Sequence, residues 1–379
     1  MNIDHTYDVV IIGGGLAGLS LAIQLASKQH RILVLEKDDF PRHKVCGEYV
    51  SMESKPFLGR LGISIDDLDL PIINKLQVTD ALGNEVNAVL ETGGFGISRY
   101  KLDDLLATLA RTQHVTLLTN TKADEVIWAG DTFEVRAKGS VYRAKLVCGA
   151  WGKRSNLDIK LQRPFIQEKQ KALNNYVGVK YHVRYDWPKG LIGLHNFENG
   201  YCGVSRIEED KCCLCYLTTA ANLQRCSNDI KRAERDILMK NPTLKTIFNE
   251  ATFLYETALA ISQISFQKKE QVRGHVLLLG DAAGVITPLC GNGMSMAFRS
   301  AHIAFGLIDG FLNAKITRSD LEGAYALSWK NAFSDRLFMG RTVQRNFGKN
   351  WTTALFLKSM NLLPFVRNGI IKATSGPVF

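Results

Sequence analysis

Apolar residues recur along the chain in patterns that belong to different secondary structures. Residues 9–12 are four consecutive β-branched residues, which is typical of a buried parallel strand. Apolar residues then follow helical spacing over residues 16–26, and residues 31–35 form a second apolar run. A similar run returns at residues 276–279. We therefore predict an α/β fold whose parallel sheet begins near residue 9 and is completed late in the chain.

Between about residues 160 and 270, strand-like segments dominate, with one helix predicted at about 227–239. This series of strand-like segments predicts a mostly antiparallel sheet inserted into the first domain, which is therefore discontinuous. The predicted divisions are a Rossmann-like cofactor-binding domain (1–74, 99–158 and 270–325), an inserted β-sheet substrate domain (75–98 and 159–269), and a C-terminal helical segment (326–379).

Three glycines join the first strand to the first helix with the spacing G-x-G-x-x-G. Such a turn lets a pyrophosphate approach the backbone, and the N–H groups and dipole of the following helix attract its charge. Glu36 ends the second apolar run, where an acceptor for a ribose hydroxyl belongs. Strand, turn, helix, strand and acid are all in register, which predicts a dinucleotide site. Its residues are Gly13, Gly15, Leu16, Ala17, Gly18, Glu36 and Lys37.

Composition is that of a globular protein, with 379 residues, 46% hydrophobic residues and a net charge of +10. Neither a signal peptide nor an apolar run of membrane-spanning length is recognised, so we expect a cytoplasmic protein. Much of the net positive charge lies in residues 331–379, which contain several basic and aromatic residues but one acid, Asp335. Two interpretations stay open. In the first, residues 331–379 form a helical pair that packs on the rest of the protein. In the second, they bind the inner face of a membrane or an acidic carrier protein. No nucleic-acid-binding motif is recognised.

Eight cysteines are present, and we expect them to be reduced. Cys212 and Cys215 have the C-x-x-C spacing of a metal or redox site. No second pair accompanies them, so we interpret them as small buried residues of a strand and predict no metal site.

Three stretches together resemble the para-hydroxybenzoate hydroxylase type of flavoprotein, the superfamily of aromatic hydroxylases, geranylgeranyl reductases and flavin-dependent halogenases. They are the glycine turn with Glu36, the pair Gly280-Asp281, and residues 149–155. The resemblance implies that the turn binds the ADP half of FAD and that the Asp281 carboxylate binds the ribityl chain. A cap on the next helix is the alternative role for Asp281.

The resemblance extends to three further segments that approach FAD in the superfamily. Residues 40–48 are similar to the loop after the second strand, and Arg99 begins a segment similar to Arg-x-x-Leu-Asp-x-x-Leu. A glycine-rich helix start would face the flavin ring and stabilise negative charge on it. The implied contacts are Arg42, Cys46, Gly47, Arg99, Gly280, Asp281, Pro288, Gly291, Asn292, Gly293 and Met294.

The chain also departs from its relatives. Trp151 replaces the aspartate of the Asp-Gly motif, which in the hydroxylases is implicated in FAD and NAD(P)H contacts. The halogenase motif Trp-x-Trp-x-Ile-Pro is absent from the sequence, and the reductase motif Tyr-x-Trp-x-Phe-Pro is only half present at residues 200–206. A second dinucleotide fingerprint is also absent, which disfavours disulfide reductases.

The resemblance implies an NAD(P)H-dependent monooxygenase that hydroxylates an aromatic, quinone or polyketide-like substrate through a flavin C4a-hydroperoxide. The small hydrophobic or aromatic substrate would lie between the inserted sheet and the flavin. Cys46, Glu48 and Pro288 are candidate catalytic residues near the flavin, and Tyr201 and Arg206 are candidate substrate contacts. Two alternatives stay open: a geranylgeranyl reductase-like enzyme that saturates prenyl or lipid double bonds, and a flavin-fold binding or escort protein without turnover.

Overall fold

The computed structural model describes residues 6–167, 175–287, 291–346, 353, 357–358, 369 and 376–379. Within them the strands are β1 (Thr6–Ile12), β2 (Ile32–Leu35), β3 (Tyr49–Ser51), β4 (Ile72–Thr79), β5 (Glu85–Gly96), β6 (Thr116–Leu118), β7 (Ala123–Ala129), β8 (Thr132–Ala137), β9 (Ser140–Gly149), β10 (Tyr176–Arg184), β11 (Leu191–Phe197), β12 (Gly200–Arg206), β13 (Cys212–Thr219), β14 (Thr252–Phe253), β15 (Leu259–Ile264), β16 (Val272–Arg273) and β17 (Val276–Leu278).

The α-helices of the same residues are α1 (Leu16–Ala26), α2 (Lys55–Leu61), α3 (Arg99–Thr112), α4 (Asn156–Lys160), α5 (Pro164–Gln167), α6 (Ala220–Arg225), α7 (Ile230–Asp236), α8 (Pro242–Glu250), α9 (Gly293–Leu312) and α10 (Arg318–Asn346). Short 3-10 turns occur at Met52–Ser54, Asp66–Leu68, Leu238–Lys240 and Gly280–Ala282. None of these helices is both long and apolar enough to cross a bilayer.

The first sheet has eight strands, in the order β16-β17-β9-β1-β2-β6 with β7 and β8 added through β9. β17, β9, β1, β2 and β6 run parallel to one another. The apolar run in β1 is fully buried between helices, as a parallel strand requires. Because β17 lies two places from β1, the late apolar run completes the sheet that the N-terminal residues begin.

The second sheet has nine strands, in the order β14-β10-β13-β12-β11-β4-β5-β3 with β15 paired to β10. Its pairs are antiparallel except for β4 with β11. One face packs on a core that includes residues of α6, α7 and α8, whereas the opposite face turns toward the first domain. The predicted α/β fold class with a second, mostly antiparallel sheet is confirmed.

The boundaries of individual elements differ from the prediction. β3 and residues 72–74 belong to the second sheet, although we expected the first domain to run to residue 74. The helix predicted at 227–239 is shorter, covering Ile230–Asp236, and is followed by a 3-10 turn at Leu238–Lys240. The predicted C-terminal helical segment begins inside α10, and residues 347–352, 354–356, 359–368 and 370–375 of it lie outside the described residues.

Candidate functional site

The turn between β1 and α1 requires glycine at two positions. A Cβ on Gly18 would lie 2.0 Å from the Gly13 carbonyl oxygen, so the helix could not pack this close to the strand. Gly13 has a φ of +111°, and a Cβ there would lie 2.4 Å from the oxygen of Ala150. Gly15, the N-cap of α1, instead faces open space bordered by Lys44 Nζ and Arg99 Nη2, 3.7 and 3.9 Å from its Cβ position. The turn thus presents a helix N-terminus and two cations to one small space.

These cations are held by a buried acid. Arg99 donates two hydrogen bonds to the Asp103 carboxylate, at 2.6 and 2.8 Å, and Lys44 Nζ lies 3.2 Å from the same group. Although burial alone would raise the pKa of Asp103, the neighbouring Arg99 and Lys44 lower it. Burial lowers the pKa of Lys44, whereas Asp103 raises the pKa of Arg99 despite burial. Asp103 therefore fixes both side chains at the mouth of the turn.

Glu36 and Arg42 complete the turn. The Glu36 carboxylate accepts hydrogen bonds from the backbone N–H groups of Gly14, at 2.7 Å, and Asp38, at 3.0 Å, and pairs with Arg42 at 2.8 Å. The Nε and Nη1 atoms of Arg42 are buried with no hydrogen-bond acceptor among the described residues. Lys37 instead points outward and pairs with Asp38 at the surface.

The open space at Gly15, its bordering cations and the unused Arg42 donors fit the pyrophosphate of FAD, because phosphate oxygens accept several charge-assisted hydrogen bonds. Leu16 and Ala17, in the first turn of α1, are buried beside this space and supply backbone rather than side-chain chemistry. These residues would hold the ADP half of the cofactor.

Gly280 and Asp281 lie at the carboxyl end of β17, beside α1. A Cβ on Gly280, whose φ is +55°, would lie 3.2 Å from the Cβ of Ala17. Asp281 is part of a 3-10 turn, and Asn292 rather than Asp281 is the N-cap of α9. The helix-cap role considered for Asp281 thus does not apply to α9.

Lys269 holds the Asp281 turn in place, and the sequence did not single it out. Its Nζ donates to the backbone oxygens of Asp281, at 2.9 Å, and Lys153, at 3.0 Å. Burial lowers the pKa of Lys269 to about 8. Lys269 lies in a polar run, residues 267–271, which gives no sign in the sequence of this buried position.

The glycine-rich start of α9 faces β3. Gly291 has a φ of +64°, and a Cβ there would lie 3.1 Å from the Tyr49 ring. Asn292 and Met294 are buried, and Gly293 begins α9. The helix start therefore adjoins the strand that follows the 42–48 loop. Pro288, the remaining predicted residue here, lies outside the described residues.

The 42–48 loop ends on a fully buried acid. Glu48 accepts hydrogen bonds from the Arg99 backbone N–H at 2.7 Å and from Lys180 Nζ, and His182 Nε2 lies 2.6 Å from its other oxygen. The backbone oxygen of Cys46 accepts a hydrogen bond from the thiol of Cys213 at 3.3 Å. Gly47 has no atom within 4 Å of its Cβ position. The structure thus brings this loop and Arg99 together, with Glu48 facing the second sheet.

Tyr201 and Arg206 lie on opposite faces of β12. Tyr201 is buried in an apolar cluster of the face that turns toward the first domain. Arg206 donates to the Trp187 backbone oxygen and to Asp186, at 2.9 Å, beside a surface groove. Side chains an odd number of residues apart on a strand point to opposite faces, so these two residues cannot serve one pocket together.

Trp151, in place of the motif aspartate, has a structural contact. Its indole N–H donates to the Asp158 carboxylate at 3.0 Å. Asp158 also pairs with Arg163 at 2.8 Å and accepts from the Ser155 backbone N–H in a capping box. The indole therefore anchors the loop after β9 to α4.

Cys212 and Cys215 lie on β13 and also point to opposite faces of the sheet, as expected for residues i and i+3 of a strand. Within the described part of the chain, no cluster of three or more His, Cys, Asp or Glu side chains could hold a metal ion.

Comparisons with known proteins agree with this site. A family model for FAD dependent oxidoreductases matches residues 8–45, which hold the glycine turn, Glu36 and most of the following loop. The solved structure of the flavin-dependent brominase Bmp2 superposes with a TM-score of 0.83 at 20% identity, covering 99% of this chain and 94% of that chain. In its N-terminal motif and in its fold, the chain is thus similar to FAD-dependent oxidoreductases.

The proteins that this chain is similar to differ in their described functions. Conditioned medium factor receptor 1 of Dictyostelium discoideum is 24% identical over 369 residues, which cover 90% of this chain and 70% of that protein. Menaquinone reductase of Mycobacterium tuberculosis is 23% identical over 387 residues, which cover 94% and 87%. Other similar proteins are described as FAD-dependent monooxygenases and as geranylgeranyl bacteriochlorophyll reductase-like. These similarities agree with the predicted resemblance to this flavoprotein superfamily, with FAD as the cofactor and with an enzyme.

Proposed function

We propose that this oxidoreductase is an NAD(P)H-dependent monooxygenase that hydroxylates an apolar aromatic, quinone or polyketide-like ring. The observation that carries the proposal is an apolar cluster on the second sheet that reaches the cofactor site. Val285, four residues after Asp281, packs in this cluster. Its other buried members are Tyr176, Tyr201, Leu217, Ile264 and Phe266.

An apolar surface beside the flavin suits this reaction because it binds a hydrophobic ring and excludes water. Bound FAD would supply the redox chemistry, the transfer of two electrons from NAD(P)H to O2. For each NAD(P)H, proton and O2 consumed, one oxygen atom would be inserted into a C–H bond and the other would leave as water. Arg42, Lys44 and Arg99 would bind the phosphates, and Lys269, which donates to the Asp281 backbone oxygen, would hold the turn expected to bind the ribityl chain.

A reductase of prenyl or lipid double bonds is the second candidate. Two observations favour it: the Cys46-Gly47 pair of the flavin loop resembles the reductase branch, and menaquinone reductase is similar over 94% of this chain. In that reaction a hydride from NAD(P)H, carried by the cofactor, and a proton from solvent would add to the two carbons of a double bond.

Oxygen dependence separates the two candidates. The holoenzyme would be supplied with NADH or NADPH and a small library of phenols, quinones and isoprenoids, in air and anaerobically. A monooxygenase consumes O2 with NAD(P)H, and its product carries one labelled atom from ¹⁸O2. A product that gains two hydrogen atoms anaerobically would refute hydroxylation and support the reductase. If none of these compounds stimulates oxidation of NAD(P)H, both proposed activities are contradicted for these substrate classes.

We also propose that the chain contacts a membrane surface through its basic C-terminal region, where an apolar substrate would be dissolved. Phe338 and Leu327 on α10 are 67% and 60% exposed. Arg336, counted among the basic residues of this region, instead pairs with buried Glu53 at 3.0 Å. Sedimentation with anionic but not neutral vesicles, lost in Phe338→Ser, is the expected result. Equal sedimentation with both vesicle types would refute electrostatic docking.

A further inference from the structure

A buried charge cluster joins the flavin loop to the second sheet. Its members are Glu48, at the end of the loop, and Lys180 and His182, on the same face of β10. Glu48 and Lys180 have no exposed surface, and His182 is 4% exposed. We call these three residues the Glu48 cluster.

The electrostatics of the cluster show that its charges depend on one another. Burial alone would raise the pKa of Glu48, but Lys180 and His182 lower it. Burial alone would lower the pKa of Lys180, but Glu48 raises it. A buried carboxylate that loses its partner is strongly disfavoured, so each charge holds the other in place.

Contacts of the cluster reach both cations at the mouth of the glycine turn. Lys180 Nζ donates to the backbone oxygen of Lys44 at 3.1 Å, and Glu48 accepts from the backbone N–H of Arg99 at 2.7 Å. The side chains of these same two residues border the open space at Gly15. The second sheet therefore fixes the backbones from which the phosphate-binding side chains extend.

Backbone geometry at Glu48 points the same way. Glu48 has a φ of +56°, a left-handed conformation that a non-glycine residue adopts at a cost and that surrounding contacts must hold. Its backbone oxygen accepts from Ile97 N–H at 3.0 Å, and the preceding loop is tied through Cys46 to Cys213. The turn that follows Cys46-Gly47 is thus held in one conformation.

We propose that Glu48 and Lys180 are positioning residues for FAD, through which the substrate sheet sets the placement of Lys44, Arg99 and the Cys46-Gly47 pair. This inference rests on the FAD site and reassigns Glu48, expected to act near the flavin, to a role behind the loop. The inserted domain would then contribute to cofactor affinity as well as to the substrate surface, although it supplies no glycine motif.

Glu48→Gln tests the proposal against a matched control, Glu234→Gln. Glu234 is also buried and accepts hydrogen bonds from Tyr181 and Tyr216, at 2.8 and 3.0 Å, on the opposite face of β10. The dissociation constant for FAD would be measured by flavin fluorescence on deflavinated protein, and the flavin midpoint potential on the holoprotein. Glu48→Gln is expected to weaken FAD binding at least about tenfold, a change of about 1.4 kcal/mol, and to shift the potential. Glu234→Gln is expected to lower the melting temperature but to leave FAD affinity within about twofold of wild type.

Lys180→Met and the double variant Glu48→Gln/Lys180→Met keep the test decisive if one variant folds poorly. Removal of both charges is expected to recover part of the affinity that either single variant loses, because no buried charge is left unpaired. Wild-type FAD affinity and potential in folded Glu48→Gln and Lys180→Met would overturn the proposal. If wild type does not bind FAD, both this proposal and the cofactor assignment are overturned. If wild type binds FAD but shows no turnover in any assay, only the proposed function is overturned.

Discussion

Stability of the inserted domain should depend on pH through one buried histidine. His195, on β11, has no exposed surface, and its Nδ1 lies 3.0 Å from Thr79 Oγ1. Its Nε2 is buried with no hydrogen-bond partner in the described part of the chain, and the ring meets Trp187 edge-on at 5.6 Å. Burial lowers the pKa of His195 from 6.5 to about 4.

The direction of the effect follows from this lowered pKa. Below about pH 6.5 the unfolded chain binds a proton at His195, but the folded chain does not until about pH 4. The contribution of uncharged His195 to the free energy of unfolding is therefore fully present above pH 6.5 and is lost as pH falls toward 4. Each tenfold change in proton affinity is worth about 1.4 kcal/mol, so about 3 kcal/mol is lost across this window.

The assay compares wild type with His195→Asn, whose side chain can still bond Thr79 but does not titrate. Free energies of unfolding would be measured in urea at several values from about pH 7 to about pH 4, following tryptophan fluorescence. The stability difference between the two proteins should move by about 3 kcal/mol in favour of the variant as pH falls, because other groups titrate equally in both. A difference that stays constant within about 0.5 kcal/mol would refute the reasoning.

Three further predictions concern the cofactor site. Gly18→Ala, whose Cβ would lie 2.0 Å from a backbone oxygen, should lose FAD on gel filtration, whereas Gly59→Ala, with open space, should keep it. Wild type should gain stability as pH rises from about 8 to 10, because over this range the unfolded chain binds a proton at Lys269 and the folded chain does not. Lys269→Met should abolish this gain, and a melting temperature that depends on pH as in wild type would contradict the prediction. Trp151→Phe should lower the unfolding free energy by about 1 kcal/mol in urea, through loss of the bond to Asp158; no loss would show that the bond contributes nothing.

Local patterns predicted the parts of the site that are close in sequence. The glycine turn, Glu36 and the helix start at Gly293 each follow from glycine spacing next to apolar runs, because strand and helix periods are local properties. Lys180 and His182 could not be predicted as partners of Glu48, since 132 and 134 residues separate them from it. They look like alternate polar residues of an ordinary strand until the sheet is assembled.

Two candidate substrate contacts, Tyr201 and Arg206, are separated by an odd number of residues on one strand, so they lie on opposite faces of the sheet and stay separate predictions. Lys269 lies among polar residues in the sequence, and only the fold shows that its Nζ binds two backbone oxygens from segments 12 and 116 residues away.

The strand order of the first sheet has a consequence for how the protein is made. β1 pairs with β9, and β9 pairs with β17, which is about 270 residues from β1 in sequence but two places away in the sheet. During synthesis, β8 can pair at once with residues 140–144 of β9, but residues 148–149 of β9 lack their partner β17 until residues 276–278 have left the ribosome. An unpaired apolar edge recruits other strands, so the nascent chain is most prone to aggregate in this interval. Cofactor supply should rescue the yield of soluble protein only at the end of translation, when the Asp281 turn has formed.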